Sequence, residues 1–162
     1  RHLSPVLAAL HQAGCKVQSG EGQIALSRSQ DVPLYSVSTI RTAPYPGFPT
    51  DAQAPVMAAL CTAAGSTVFV ETMFDRRYRH VTELCRMGAD IVTEGRVAVV
   101  RGVNRLHGDR VTATDLRGGG ALAVAALAAE GNTTLTGVHH IDRGYEALEE
   151  MLRQLGGRVS RR

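Results

Sequence analysis

Aromatic side chains are scarce in this chain. Its 162 residues include no Trp, three Phe and four Tyr. So few stacking platforms argue against a grip on single-stranded nucleic acid, and no nucleic-acid partner is expected. Lysine is nearly absent as well: of 18 basic residues, all but Lys16 are arginines. Arginine presents a planar fork that grips phosphate or carboxylate, although a codon-usage bias of the source genome accounts for the bulk of them equally well. The net charge is only +3. Long apolar runs are missing too. The longest stretches, such as ALAVAALAA, are too short to cross a bilayer, so no membrane partner is expected. Cysteine is sparse: Cys15, Cys61 and Cys85 are widely spaced, odd in number, and form no CxxC pair. That pattern argues against a disulfide framework or a zinc site and for a reducing, cytoplasmic compartment. What remains is 44% hydrophobic and 20% charged, the balance of an ordinary globular domain long enough to bury a core.

Proline, by contrast, is concentrated. TAPYPGFPTDAQ (42–53) carries Pro44, Pro46 and Pro49. Each fixes its own φ and pushes the preceding residue into extended backbone. Thr50 and Asp51 then stand directly before an apolar run, PVMAALCTAA, where a helix N-cap belongs. A stiff loop that delivers one carboxylate to a helix start reads as a device for holding Asp51 still.

Self-comparison shows a repeat. Thr50-Asp51 opens a helical pattern ending at Ala64-Gly65, followed by strand-like STVFVETM; Thr114-Asp115 opens another ending at Glu130-Gly131, followed by NTTLTGVHH. Downstream of each comes a second helix closed by glycine: VTELCRMGADIVTEG with Gly88, and ALEEMLRQLGGRVS with Gly156. A third copy of that second half appears earlier, as VLAALHQAGCKVQSGEG with Gly14. Leucine or methionine recurs at helical spacing in each, and glycine sits where positive φ is needed. Residues 43–107 and 108–162 therefore read as two units, and 1–42 as the back half of another. IVTEG and RVAVVRG form a hairpin after Gly88; only RVSRR follows Gly156. Repeat units bury their core against neighbours, so material preceding Arg1 is expected, together with a strand that would close the last unit.

RTAPYPGFPTDAQAP, HVTELCRMGADI, TDLRGGGALAVAALAAEG and HIDRGYE resemble successive segments of the UDP-N-acetylglucosamine 1-carboxyvinyltransferase family. These enolpyruvyl transferases begin peptidoglycan precursor synthesis. The similarity runs in order along the whole chain. It implies an α/β fold, an inside-out α/β barrel of βαβαββ units, with this chain as the larger part of one C-terminal domain. The family moves the enolpyruvyl group of phosphoenolpyruvate onto the 3′-hydroxyl of UDP-N-acetylglucosamine, by addition and then elimination of phosphate. Those two molecules are the substrates the resemblance implies; the family's N-terminal domain is the implied partner. No cofactor and no metal are expected.

By resemblance, Asp51 is the aspartate that contacts the sugar and takes the hydroxyl proton. On the residues alone it is equally a helix N-cap contributing about 1 kcal/mol, and Thr50 could cap in its place. Arg77 in FDRRYRH and Arg143 in HIDRGYE match arginines that face the ligand, Arg143 at the phosphoenolpyruvate end; Arg76 and Arg79 read as a solvated face. Met73 matches a position whose backbone contacts the nucleotide sugar, whereas on sequence alone it is a buried strand residue. Asp115 and Arg117 match residues near the cleft. Gly118 to Gly120 could present free N–H groups to an anion, but close packing of their helix is the simpler account. Tandem His139-His140 invites a metal reading, which adjacent strand residues on opposite faces would not support. The family's reactive cysteine has no counterpart here. Cys15, Cys61 and Cys85 read as small hydrophobes buried on helices.

The chain alone is therefore expected to have no turnover. The competing reading is a stand-alone nucleotide-sugar-binding or regulatory module that keeps the fold without the chemistry. The related shikimate-pathway transferase fits PYPGFPTD and HIDRGYE poorly. Open sheet edges would invite self-association.

Overall fold

The computed structural model describes residues 2–20, 22–29 and 31–161. Arg1, Glu21, Gln30 and Arg162 lie outside them, and with them the ends of the first and last repeats and part of the QSGEG turn. The chain order is α1 (Ser4–Gln12), β1 (Lys16–Gly20), β2 (Gln23–Ser27), β3 (Thr39–Arg41), α2 (Thr50–Leu60), β4 (Ser66–Val70), α3 (Val81–Arg86), β5 (Asp90–Glu94), β6 (Val97–Arg101), β7 (Arg110–Thr112), α4 (Leu116–Ala128), β8 (Thr134–Thr136), α5 (His139–Asp142) and α6 (Leu148–Gln154).

Two parallel crossovers organise the molecule. β3 and β4 pair in parallel, Ile40 opposite Phe69, with α2 between them. β7 and β8 pair in parallel, Val111 opposite Leu135, with α4 between them. A parallel pair requires such a crossover, and a helix supplies it. The first crossover continues through α3 into the antiparallel hairpin β5–β6, giving one four-stranded sheet ordered β3-β4-β6-β5. β1 and β2 form a separate hairpin. The strands thus fall into three sheets and close no barrel among the described residues.

The core lies where α2 and α4 pack on each other and on the sheets. Met57, Phe69, Leu84, Met87, Leu106, Val111, Ala121 and Leu122 are fully buried there. Ala-rich α4 suits this contact because small side chains let helix axes approach. Gly118, Gly119 and Gly120 at the start of α4 meet other neighbours as closely. A Cβ would lie 3.0 Å from His80 Cβ at Gly118, 2.6 Å from Ile141 at Gly119 and 3.0 Å from the Tyr145 hydroxyl at Gly120. Close packing therefore accounts for the triple glycine. The amides are not free for an anion: Gly118 donates to Asp115 Oδ1 and Gly119 to the Asp115 carbonyl.

Several expectations need correction. The helix after the proline-rich loop starts one residue too early for Thr50 to cap it and two too early for Asp51. Its N-cap is Pro49, with no side-chain cap, and Thr50 and Asp51 already lie in the first turn. The Thr50 hydroxyl is drawn instead to Glu71, 2.8 Å away. β8 stops at Thr136 because Gly137 turns the chain at φ +69°. His139 and His140 are thereby placed on α5, not on a strand, with ring centroids 4.1 Å apart. Met73 is exposed in the loop after β4, which ends at Val70. Cys15 is buried but lies between α1 and β1, and Cys85 on α3 is exposed. Cys61 at the end of α2 is buried, which pushes its thiol up to about 12.

Candidate active site

In open parallel sheets, ligands meet the loops that leave the carboxyl ends of the strands. Here both parallel pairs send their loops to one place. The loop after β3 is the proline-rich segment. It closes on itself, with Ala43 N–H to the Phe48 carbonyl at 3.0 Å and Gly47 N–H to the Pro44 carbonyl at 2.7 Å, and the Tyr45–Pro46 peptide is cis. It delivers Asp51 in the first turn of α2. The loop after β4 carries Arg77. Thr114-Asp115 follows β7 and opens α4, which carries Arg117; Arg143 follows β8 at the end of α5.

Packing of α2 against α4 brings these four segments together. Asp51, Arg77, Asp115, Leu116, Arg117 and Arg143 line an open cavity of about 240 Å³. Five of the six residues singled out from sequence are in that lining; Met73 is not. Its amide is already donated to Glu71 Oε1 at 2.8 Å, so a backbone contact from Met73 would have to come from its carbonyl. A larger hollow, about 520 Å³, lies beside α6 and is lined by Glu146, Glu150 and uncharged residues. With acids and no cation it repels anions, so the arginine-lined cavity is the better candidate.

The two aspartates are held differently. Asp115 is the N-cap of α4, its Oδ1 2.8 Å from the Gly118 amide. Asp51 caps nothing. Its Oδ2 lies 2.9 Å from Arg117 Nη2 and its Oδ1 3.7 Å from Arg77 Nη2. The Arg117 guanidinium, hydrogen-bonded to Asp51 and seconded by the charge of Arg77, holds the carboxyl below its ordinary range, against a smaller upward push from burial. Tyr145 also favours the charged form of Arg117. Arg77 stacks over the Phe74 ring, 4.6 Å from its centroid, a cation–π contact that orients the guanidinium. Arg143 is exposed and makes no ion pair among the described residues. Arg76, at φ +57°, and Arg79 are exposed outside the cavity.

Three groups behind the cavity were not anticipated from sequence. Glu71, 1% exposed, accepts from Thr42, Thr50, Met73 and Phe74. His80, 2% exposed, contacts the Arg77 backbone; burial pushes its imidazole down to about 4, despite the nearby Asp115 charge. Tyr145 occupies space that Gly120 leaves. The one available signal was a carboxylate inside the otherwise β-forming run STVFVETM. The cavity carries three arginines and two carboxylates, both at helix N-termini, an arrangement for binding an anionic ligand beside a polar group.

The family model described as EPSP synthase (3-phosphoshikimate 1-carboxyvinyltransferase) matches residues 2–152. The chain belongs to that family. Its relatives include a UDP-N-acetylglucosamine 1-carboxyvinyltransferase 2 of Caldanaerobacter subterraneus subsp. tengcongensis, 46% identical over 99% of this chain and 38% of that protein. A UDP-N-acetylglucosamine 1-carboxyvinyltransferase of Desulfofundulus thermocisternus is 51% identical over 99% of this chain and 65% of its own. Among solved structures, the enolpyruvyl transferase NikO from Streptomyces tendae superposes with a TM-score of 0.85 at 30% identity, over 96% of this chain and 35% of that one. The fold is that of the enolpyruvyl transferases, although the described strands close no barrel. This family member spans between about a third and two thirds of the length of the relatives it matches.

Proposed function

We propose that the chain is one wall of the active site of a UDP-N-acetylglucosamine enolpyruvyl transferase, a cytoplasmic step of peptidoglycan precursor synthesis. The observation that carries this reading is the cavity in which Asp51 faces Arg77 and Arg117, with Arg143 alongside. Identities of 46% and 51% to proteins named for that activity favour it over the shikimate substrate. The opposite wall would be supplied by the family's N-terminal domain.

In this mechanism Asp51 takes the proton of the sugar 3′-hydroxyl as that oxygen bonds to C2 of phosphoenolpyruvate, whose methylene carbon gains a proton. Phosphate then leaves from C2 while the methyl group formed by that protonation gives up a proton, and the double bond reforms. Arg143 holds the phosphoenolpyruvate end, and Arg77, Arg117 and Asp115 contact the substrates. A carboxylate paired with two guanidinium groups is a weak base. An anionic substrate that draws Arg117 and Arg77 onto its own oxygens would restore the basicity of Asp51 when the hydroxyl arrives, which ties proton transfer to occupancy of the site.

Two measurements test this. Titration of the chain with UDP-N-acetylglucosamine should show binding that Asp51→Asn weakens about tenfold, the loss of one charged hydrogen bond; 3-phosphoshikimate should not compete. In a chimera with residues 1–162 replacing the matching part of the Caldanaerobacter relative, phosphate release from phosphoenolpyruvate should persist. Asp51→Asn there should lower it by about a hundredfold or more. A folded chimera without turnover, or turnover by the 162-residue chain alone, would overturn the proposal.

A further inference from the structure

Glu71 is 1% exposed and has no cationic partner among the described residues. A buried carboxylate is costly unless its lone pairs are filled. Here four donors fill them. Oε1 accepts from the Thr42 hydroxyl (3.0 Å), the Met73 amide (2.8 Å) and the Phe74 amide (3.1 Å), and Oε2 from the Thr50 hydroxyl (2.8 Å).

The origin of the donors is informative. Thr42 and Thr50 stand at the two ends of the proline-rich loop, and Asp51 is the next residue. Met73 and Phe74 belong to the loop that leaves the neighbouring strand, and Arg77 stacks on Phe74 three residues on. The two loops are further laced by Thr72, whose hydroxyl donates to the Thr42 carbonyl at 2.6 Å and whose amide donates to the Thr42 hydroxyl at 2.8 Å. An apolar side chain at position 71 would avoid the desolvation cost but could not hold four donors from two loops.

We propose that Glu71 is a positioning residue, a buried clamp that locks the proline-rich loop to the loop of Arg77 and so sets Asp51 against Arg77 across the cavity. The proposal rests on the reading of Asp51 and Arg77 as substrate-facing, and its test separates the two. Thr50→Val removes the Oε2 arm without adding volume, and Thr50→Ser restores the hydroxyl. Carbon-detected NMR titration of the Asp51 carboxyl should show its midpoint move up in Thr50→Val and return in Thr50→Ser. UDP-N-acetylglucosamine affinity should fall about tenfold and return in parallel. Glu71→Gln keeps the shape but loses the charge, so hydrogen exchange at the Met73 and Phe74 amides should quicken roughly tenfold. A Thr50→Val protein that melts earlier yet titrates Asp51 as the wild type does would reduce Glu71 to a structural residue and overturn the clamp. If Glu71→Gln does not fold, the Thr50 pair decides. If the wild type binds no UDP-N-acetylglucosamine, the proposed function fails while the Asp51 titration still decides the clamp.

Discussion

Asp51 and Asp115 share a context, Thr-Asp before an apolar helix, and do different work. Asp115 caps α4, whereas Asp51 sits two residues further in and turns to the arginines. The difference traces to Pro49 and Glu71. Pro49, extended at ψ 131°, takes the N-cap position, and Glu71 takes the Thr50 hydroxyl. Neither effect is local to the Thr-Asp pair, which is why both capping and binding stayed open from sequence. Arg77, Arg117 and Arg143 were legible because long motifs carried them. Glu71 was not, because its partners Thr42 and Thr50 lie 29 and 21 residues away. His80 makes a prediction at this scale. Its folded pKa is about 4 against 6.5 in an unfolded chain. Between those values the unfolded state binds the extra proton, so stability is fully present above about pH 6.5 and is lost as pH falls toward 4. The loss is at most roughly 3 kcal/mol. Asp51, lowered below 3.8, contributes in a separate window: its part is present above the unfolded value and lost only at lower pH. Urea melts across pH 7 to 4 should show this slope in the wild type, and His80→Leu should flatten it. An unchanged slope would assign the acid sensitivity elsewhere.

Among the elements, the pair α2 and α4 decides the site. Each crosses between parallel strands, and each begins at the strand ends where the cavity lies. Gly119, near the start of α4, shows how closely this helix is also packed on α5. In an isolated helix, alanine at Gly119 would gain about 1 kcal/mol. Here its Cβ would lie 2.6 Å from Ile141 Cγ1 and 3.2 Å from Ala113 Cβ. Overpacking of that kind costs about 1–3 kcal/mol. Gly119→Ala should therefore lower stability, and a thermal melt showing a gain would mean that α5 yields. The hairpins were the easiest elements to read. Gly88, at φ +91°, ends its helix where the sequence placed the stop, since glycine alone takes that conformation without strain. The extents of STVFVETM and NTTLTGVHH were less legible. Their β-forming composition runs on past Val70 and Thr136, where tertiary hydrogen bonds to Glu71 and the turn at Gly137 end the strands.

For the whole molecule, three small sheets leave edges open, among the described residues, at β3 and β5, on the β1–β2 hairpin and on the β7–β8 pair. Ile24 and Leu26, two residues apart and so on one face of β2, are 48% and 49% exposed. Unpaired edges beside exposed apolar side chains favour pairing with a second copy. Light scattering of the chain should show association that grows with concentration and weakens in Leu26→Lys; a monomer throughout would count against it. The sequence by itself determined the family and the identities of the charged residues, because those are carried by residue type and short spacing. Only the tertiary structure decided which aspartate caps a helix and which pairs with arginines, and where four loops converge. It also showed that a buried glutamate holds two of them together. Those outcomes depend on the packing of α2 against α4 and on hydrogen bonds between residues far apart in the chain, and no local pattern encodes either.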